Sequence, residues 1–229
     1  MLQPTPAFST SSTTNNYAEK TARLVPGLHD LQTMAALLVA ERAPDAANVL
    51  VIGAGGGMEL KVLAQAHPRW HFVGVDPSQP MLDLAAETLG ALAERVSLHH
   101  GYTDTAPEGP FDAATCLLTM HFLTLDERRS TLMEIRRRLK PGAPFVMAHL
   151  SFPQSDEERE LWLSRYVAFA AASGVDPDNA RKAASAIGST LTLLSPAQEE
   201  ALLEETGFTN VRLFYAGMAF RGWVVQAAA

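Results

Sequence analysis

The sequence has one cysteine, Cys116, and no second thiol to pair with it. An intramolecular disulfide is therefore excluded, as is any Cys-rich zinc site, and no metal site is expected. Long apolar runs are also missing: no stretch reaches the about 18 residues a membrane span needs. Residues 1–16 have no cationic start and no apolar core, so they do not read as a signal peptide. Basic residues are in deficit, with 18 Lys and Arg against 25 Asp and Glu, a net charge of −7. That balance disfavours a grip on phosphate backbones or anionic lipid, and no basic stripe is present. Glycine and proline, 15 and 14, are too few for a collagen-like or low-complexity chain. What remains is 229 residues, 47% hydrophobic, enough for a buried core and of a length that suits one domain. The expectation is a single domain over 1–229, cytoplasmic, with neither membrane nor nucleic acid as partner.

Along the chain, Ser, Thr, Asn and Pro dominate residues 1–16, which read as a polar arm. From Tyr17 to about Arg42 the pattern is helical, with Leu31, Met34, Ala35, Leu38 and Val39 on one stripe. After Pro44 strands and helices alternate. Val49 to Ile52 is an unbroken aliphatic run of the kind buried on both faces of a parallel sheet. Further strands are expected at Phe72–Val75, Val96–His100, Ala113–Leu118 and Pro144–Leu150, with helices between them. Thr124 and Glu127 have capping-box spacing, and Lys140-Pro141-Gly142 closes the helix they open. Residues 151–194 break the rhythm with two expected helices, a helical insertion. Ser195, Pro196 and Gln198 start another helix, and two closing strands meet at a tight turn near Gly217.

The chemistry concentrates in Gly53-Ala54-Gly55-Gly56-Gly57, directly after the first buried strand. Glycines are needed where a chain turns sharply off a strand and where a ligand approaches the backbone closely. The dinucleotide fingerprint would require glycine at 58, where Met58 stands, so a nicotinamide dehydrogenase is disfavoured. Asp76 ends the second strand about 20 residues after the central glycine, where a carboxylate can accept from both hydroxyls of a ribose. It competes with a second role as the cap of the next helix.

The glycine loop, Val75-Asp76, Gly101-Tyr102-Thr103-Asp104, the strand before Leu118-Thr119-Met120-His121, and Leu139-Lys140-Pro141-Gly142 resemble the ordered motifs of class I S-adenosylmethionine-dependent methyltransferases. The resemblance spans about residues 45–150. It implies an α/β Rossmann-like sheet of seven strands, mostly parallel with an antiparallel last strand, and helices on both faces. It implies S-adenosylmethionine as cofactor and a small-molecule methyl acceptor. Gly53, Ala54, Gly55 and Gly57 would line its methionine part, and Asp76 with Pro77 its ribose. Met81, Tyr102 and Thr103 would border the adenine, with Leu117 and Leu118 beneath the sulfonium. Two positions depart from the family pattern. Val51 stands where many members carry an acid, and Tyr102 replaces the usual Asp after Gly101.

Three histidines fall at strand ends, His100, His121 and His149, and His149 is the preferred base because it precedes the insertion. The N-terminal helix, within an arm-and-lid segment at 1–44, and the 151–194 insertion are expected to cover the acceptor. Trp162, Tyr166 and Phe169 form a helical stripe that packs the insertion, and Arg136-Arg137-Arg138 reads as a solvated face. Val25-Pro26-Gly27 and Met120 to Leu125 are similar to the carboxy-S-adenosylmethionine synthases. Those enzymes hold an extra carboxylate with an Arg in the helix before the final Gly-Phe. Here that helix, Glu199 to Glu205, has none, which disfavours their activity. A protein that binds the cofactor without catalysis is the other alternative, and a homodimer is left open.

Overall fold

The structure is a computed structural model and describes residues 17–228. The polar arm expected at 1–16 lies outside the described residues. Helices α1 (Tyr17–Leu24) and α2 (Leu28–Ala40) precede strand β1 (Asn48–Ile52). Then follow α3 (Met58–Ala66), β2 (His71–Asp76), α4 (Gln79–Leu89), β3 (Val96–His100), β4 (Ala113–Leu117), α5 (Leu125–Arg138) and β5 (Pro144–Leu150). Helices α6 (Asp156–Ala172), α7 (Pro177–Thr190) and α8 (Pro196–Glu205) lead to β6 (Phe208–Gly217) and β7 (Phe220–Ala227).

All seven strands join one sheet in the order β3-β2-β1-β4-β5-β7-β6. The first five pair in parallel, and β7 runs antiparallel to both β5 and β6. The chain leaves β1 toward β3, then crosses back to lay β4 on the other side of β1. That reversal opens a crevice at the carboxyl ends of β1 and β4, where ligands bind in open α/β sheets.

The sheet is buried on both faces because its strands are apolar on both. Along β1, Val49 and Val51 enter one core with Leu31 of α2, Leu60 and Leu63 of α3, and Tyr166 and Ile187 of the insertion. Leu50 and Ile52 enter the other, with Leu132 and Ile135 of α5 and Leu202 and Leu203 of α8. Among the described residues no helix is long and apolar enough to cross a membrane.

Two expectations are corrected. The single helix expected from Tyr17 to Arg42 is two, parted at Val25-Pro26-Gly27. Pro26 has no N–H to continue the first, and Gly27 takes the left-handed φ of 60° before α2 begins. Tyr215 Oη donates to the Pro26 carbonyl (2.5 Å), tying this break to β6. The arginine run at 136–138 is not a solvated face. Arg138 is fully buried, and its guanidinium donates to the carbonyls of Asp104, Ala106 and Pro107 and pairs with Glu134. Arg136 donates to Gly207 O (3.0 Å), which leaves Arg137 as the exposed member, on Glu108 and Glu134.

Candidate functional site

A cavity of about 330 Å³ fills the crevice between the ends of β1, β2 and β4. Its floor is the first turn after β1. Gly53 and Gly55 hold φ of 71° and 49°, which side-chain-bearing residues rarely adopt. At Gly53 space demands glycine too, since a Cβ would run into the Thr119 side chain. At Gly55 a Cβ would project toward Met81 Cε (3.6 Å) and Tyr17 Oη (3.8 Å), two groups that line the cavity. The loop therefore presents bare backbone to whatever binds there.

Asp76 stands beside it. Its Oδ2 accepts from Gly55 N–H and its Oδ1 from Ser78 N–H, both at 2.9 Å. Each carboxylate oxygen has a second lone pair, so both can still accept a hydroxyl from a ligand. Burial pushes the Asp76 carboxyl above its ordinary value, against the lowering pull of Ser78 N–H, Gly55 N–H and His100. The N-cap position of α4 is Ser78, not Asp76.

The opposite wall is the end of β4. Leu118 has a left-handed φ of 59°, an unusual state for a γ-branched residue, and its N–H donates to Ala148 O (2.6 Å). This kink turns Leu118 and Thr119 into the cavity, with Leu117 below them. Tyr102 and Thr103 from the loop after β3, and Glu127 and Thr131 from α5, complete the far end. Tyr17 of α1 lies over Gly55 and Gly56 and lines the near end.

Of the residues expected to bind cofactor, Gly53, Gly55, Asp76, Pro77, Met81, Tyr102, Thr103 and Leu117 line this one cavity. Ala54 and Gly57 do not. Gly57 has φ 78° and faces α4 so closely that a Cβ would lie 2.9 Å from Ala85 Cα, so its glycine serves helix packing. His149 is also absent from the lining. It is fully buried behind the sheet end, with Nε2 at 2.8 Å from Glu199 Oε1, because β5 turns it toward α8 and not toward the crevice. A base at that position has no path to an acceptor in the cavity. His121 is buried too, and accepts from Leu150 N–H at Nδ1 (3.4 Å). Burial, and then the charges of His149 and Arg128, hold its imidazole well below the ordinary histidine value, so it is neutral. His100 bonds the Pro77 carbonyl through Nε2 (3.0 Å). No residue of the 151–194 insertion lines the cavity, so the expected second lid lies elsewhere, packed through Tyr166 against the sheet.

Tyr17, Glu127 and Thr131 were not singled out for cofactor binding from sequence. Tyr17 falls within the N-terminal helix expected to cover the acceptor. Glu127 carried a signal of another kind, the capping box it forms with Thr124.

Glu59 is a further acid near the loop, in the first turn of α3 and only 6% exposed. Its Oε1 has no hydrogen-bond partner among the described residues. Burial pushes its carboxyl up to about 7, against smaller lowering by Thr115 and the Leu117 backbone. A carboxyl whose value is raised on folding contributes stability that is complete below its unfolded value. That contribution is lost as pH rises through about 7. Glu59→Gln is therefore expected to flatten the fall in stability between about pH 5 and pH 8. Urea midpoints of both proteins across that window check this, and parallel curves would refute it.

Comparison with known proteins agrees with the fold. Residues 50–145 match a family model described as a methyltransferase domain. Carboxy-S-adenosyl-L-methionine synthase from Actinobacillus succinogenes is 24% identical over 84% of this chain and 82% of its own length. The enzyme of the same name from Chromohalobacter salexigens is 27% identical over 88% and 76%. Among solved structures, a SAM-dependent methyltransferase from Aquifex aeolicus superposes with a TM-score of 0.64 at 17% identity, over 96% of this chain and 99% of that one. The chain is thus similar to S-adenosylmethionine-dependent methyltransferases, a likeness that supports S-adenosylmethionine as its cofactor.

Proposed function

We propose that the chain transfers a methyl group from S-adenosylmethionine to a small, largely apolar acceptor that is neutral or cationic. The observation that carries the acceptor class is the charge of the crevice. Its described lining holds two carboxylates, Asp76 and Glu127, and no Lys, Arg or His. The remaining wall is mainly apolar, with Ile52, Val75, Met81, Leu118 and Leu123. With Asp76 and Glu127 taken up by the cofactor, the wall left to an acceptor is mainly apolar and offers an anion no cationic partner among the described residues.

The residues fit the cofactor. The bare backbone at Gly53 and Gly55 would hold its amino-acid part, and the free lone pairs of Asp76 would take the ribose hydroxyls. Met81, Tyr102 and Thr103 would border the base. When bound, the cofactor supplies a methyl group already activated by a positive sulfur. The chain's own work is then alignment and exclusion of water. Leu117 and Leu118 form the apolar floor, the Leu118 kink fixes where it stands, and Tyr17 covers the glycine loop. A base is required only where the acceptor must lose a proton.

Similarity to the carboxy-S-adenosylmethionine synthases over most of the chain favours a second reading, synthesis of a carboxylated cofactor. The absence of an Arg from α8 does not bear on this reading. No residue of α8 lines the crevice, and Glu199 points into the core. The crevice itself supplies a stronger objection, since none of its described lining side chains is cationic.

The test is a transfer assay with methyl-labelled cofactor over neutral, cationic and anionic small molecules. Label is expected in neutral or cationic acceptors. Label confined to anionic acceptors would overturn the acceptor class. Tight cofactor binding with transfer to none would favour a binding protein, and a carboxylated cofactor in the mass spectrum would favour the synthase.

A further inference from the structure

We infer that Glu127 recognises the exocyclic amine of the cofactor's adenine, from helix α5 and not from the loop after β3. The inference rests on the cofactor reading above and adds a residue and a specificity to it.

Tyr102, Thr103, Glu127 and Thr131 all line the crevice. An adenine lodged there presents N–H donors from its 6-amino group and needs an acceptor. Asp104 is exposed and does not line the crevice, and its backbone carbonyl is taken by Arg138 Nη2 (3.0 Å). Asp76 already receives two backbone N–H groups. Glu127 is the remaining carboxylate of the described lining. Its Oε2 accepts from Thr124 N–H (2.8 Å), which fixes the side chain, and its Oε1 has no hydrogen-bond partner among the described residues. Among those residues no Lys, Arg or His forms an ion pair with it either. Its charge is felt at the far end of the crevice: after burial itself, Glu127 is the largest influence raising the Tyr102 phenol, ahead of Asp104 and Asp76.

A fixed carboxylate accepting from an amine makes a charge-assisted hydrogen bond. A purine carrying a 6-oxo group would instead set an acceptor against it, leaving both unsatisfied. The crevice should therefore discriminate strongly between the two bases. The capping box supplies a clean variant, because Gln serves as well as Glu at its third position. Glu127→Gln keeps the start of α5 while replacing a charged acceptor by a group that also donates.

The experiment is calorimetric binding of S-adenosylhomocysteine and S-inosylhomocysteine to the wild-type chain and to E127Q. The wild-type chain is expected to prefer the adenosyl compound by about thirtyfold, and E127Q to bring the ratio to about threefold or below, by loss on one side and gain on the other. An E127Q ratio equal to that of wild type overturns the inference, as does a wild-type chain that binds both equally. A wild-type chain that binds neither overturns the site reading beneath it, a different outcome from the first two.

Discussion

Replacing Glu199 by alanine is expected to lower the stability of the fold by about 3–5 kcal/mol. Glu199 and Arg128 are both fully buried and form an ion pair between α8 and α5. Arg128 Nη2 also donates to Thr192 O (2.6 Å), and His149 Nε2 lies 2.8 Å from Glu199 Oε1. Burial alone would raise the Glu199 carboxyl, but His149 and Arg128 together hold it below its ordinary value. Alanine would leave a guanidinium in the core with one carbonyl for company. Three atoms of the network, Arg128 Nε, His149 Nδ1 and Glu199 Oε2, already lack partners among the described residues, so little is at hand to re-satisfy the charge. Glu199→Gln keeps an acceptor and should lose less. The sign with pH follows from the lowered carboxyl. Its contribution is complete above the unfolded carboxylate value and lost as pH falls through the folded one, so E199A should lack part of the wild-type loss in acid. Urea unfolding at neutral and acidic pH measures both effects. A loss under about 1 kcal/mol at neutral pH would mean the pair is dispensable.

This network bears on the crevice through α5. Arg128 lies between Glu127 and Thr131 in sequence, and those two face the cavity. The buried pair anchors one side of the helix and so sets the position of the other. E199A protein that remains folded in the cold is therefore a fair subject for cofactor binding, and a weakened response there would show that the anchor reaches the site.

The sheet was legible because its signals are local. The run at 49–52, the glycines after it and the strand at Pro144–Leu150 state their own structure, and the last appears with the expected ends. Asp76 was legible for the same reason, as a carboxylate at a fixed distance from a glycine loop. The break at Pro26-Gly27 carried a local signal too, but the apolar stripe beyond it dominated the pattern. Pairing across long separations has no such signature. Glu199 and Arg128 are 71 residues apart, and nothing near either says that they meet. Arg138 looked solvated because its neighbours are polar, yet its long side chain reaches carbonyls of the 104–107 loop. His149 sits at a strand end as a catalytic histidine would, and only the packing of α8 decides which way it faces. Glu127 was visible as a cap, and the crevice around it was not.

Asp76→Ala is expected to weaken binding of S-adenosylhomocysteine by about a hundredfold. Two hydroxyls donating to a carboxylate are worth about 3 kcal/mol together, and each factor of ten is about 1.4 kcal/mol. The loss has a second source in the loop itself. Asp76 Oδ2 holds Gly55 N–H, so its removal frees the glycine turn that meets the ligand as well as the group that grips it. Asp76→Asn separates the two. Asparagine keeps an oxygen acceptor and can hold the turn, but it has no charge and one acceptor fewer, and about a tenfold loss is expected. Acidification should mimic it. Burial raises the Asp76 carboxyl, so wild-type affinity should fall with pH sooner than an ordinary aspartate would dictate, while the Asn variant should lack that dependence. Calorimetry across pH, with thermal melts to establish that each variant is folded, reads all three effects. If D76A binds within about threefold of wild type, the ribose lies elsewhere and the crevice must be assigned to another ligand.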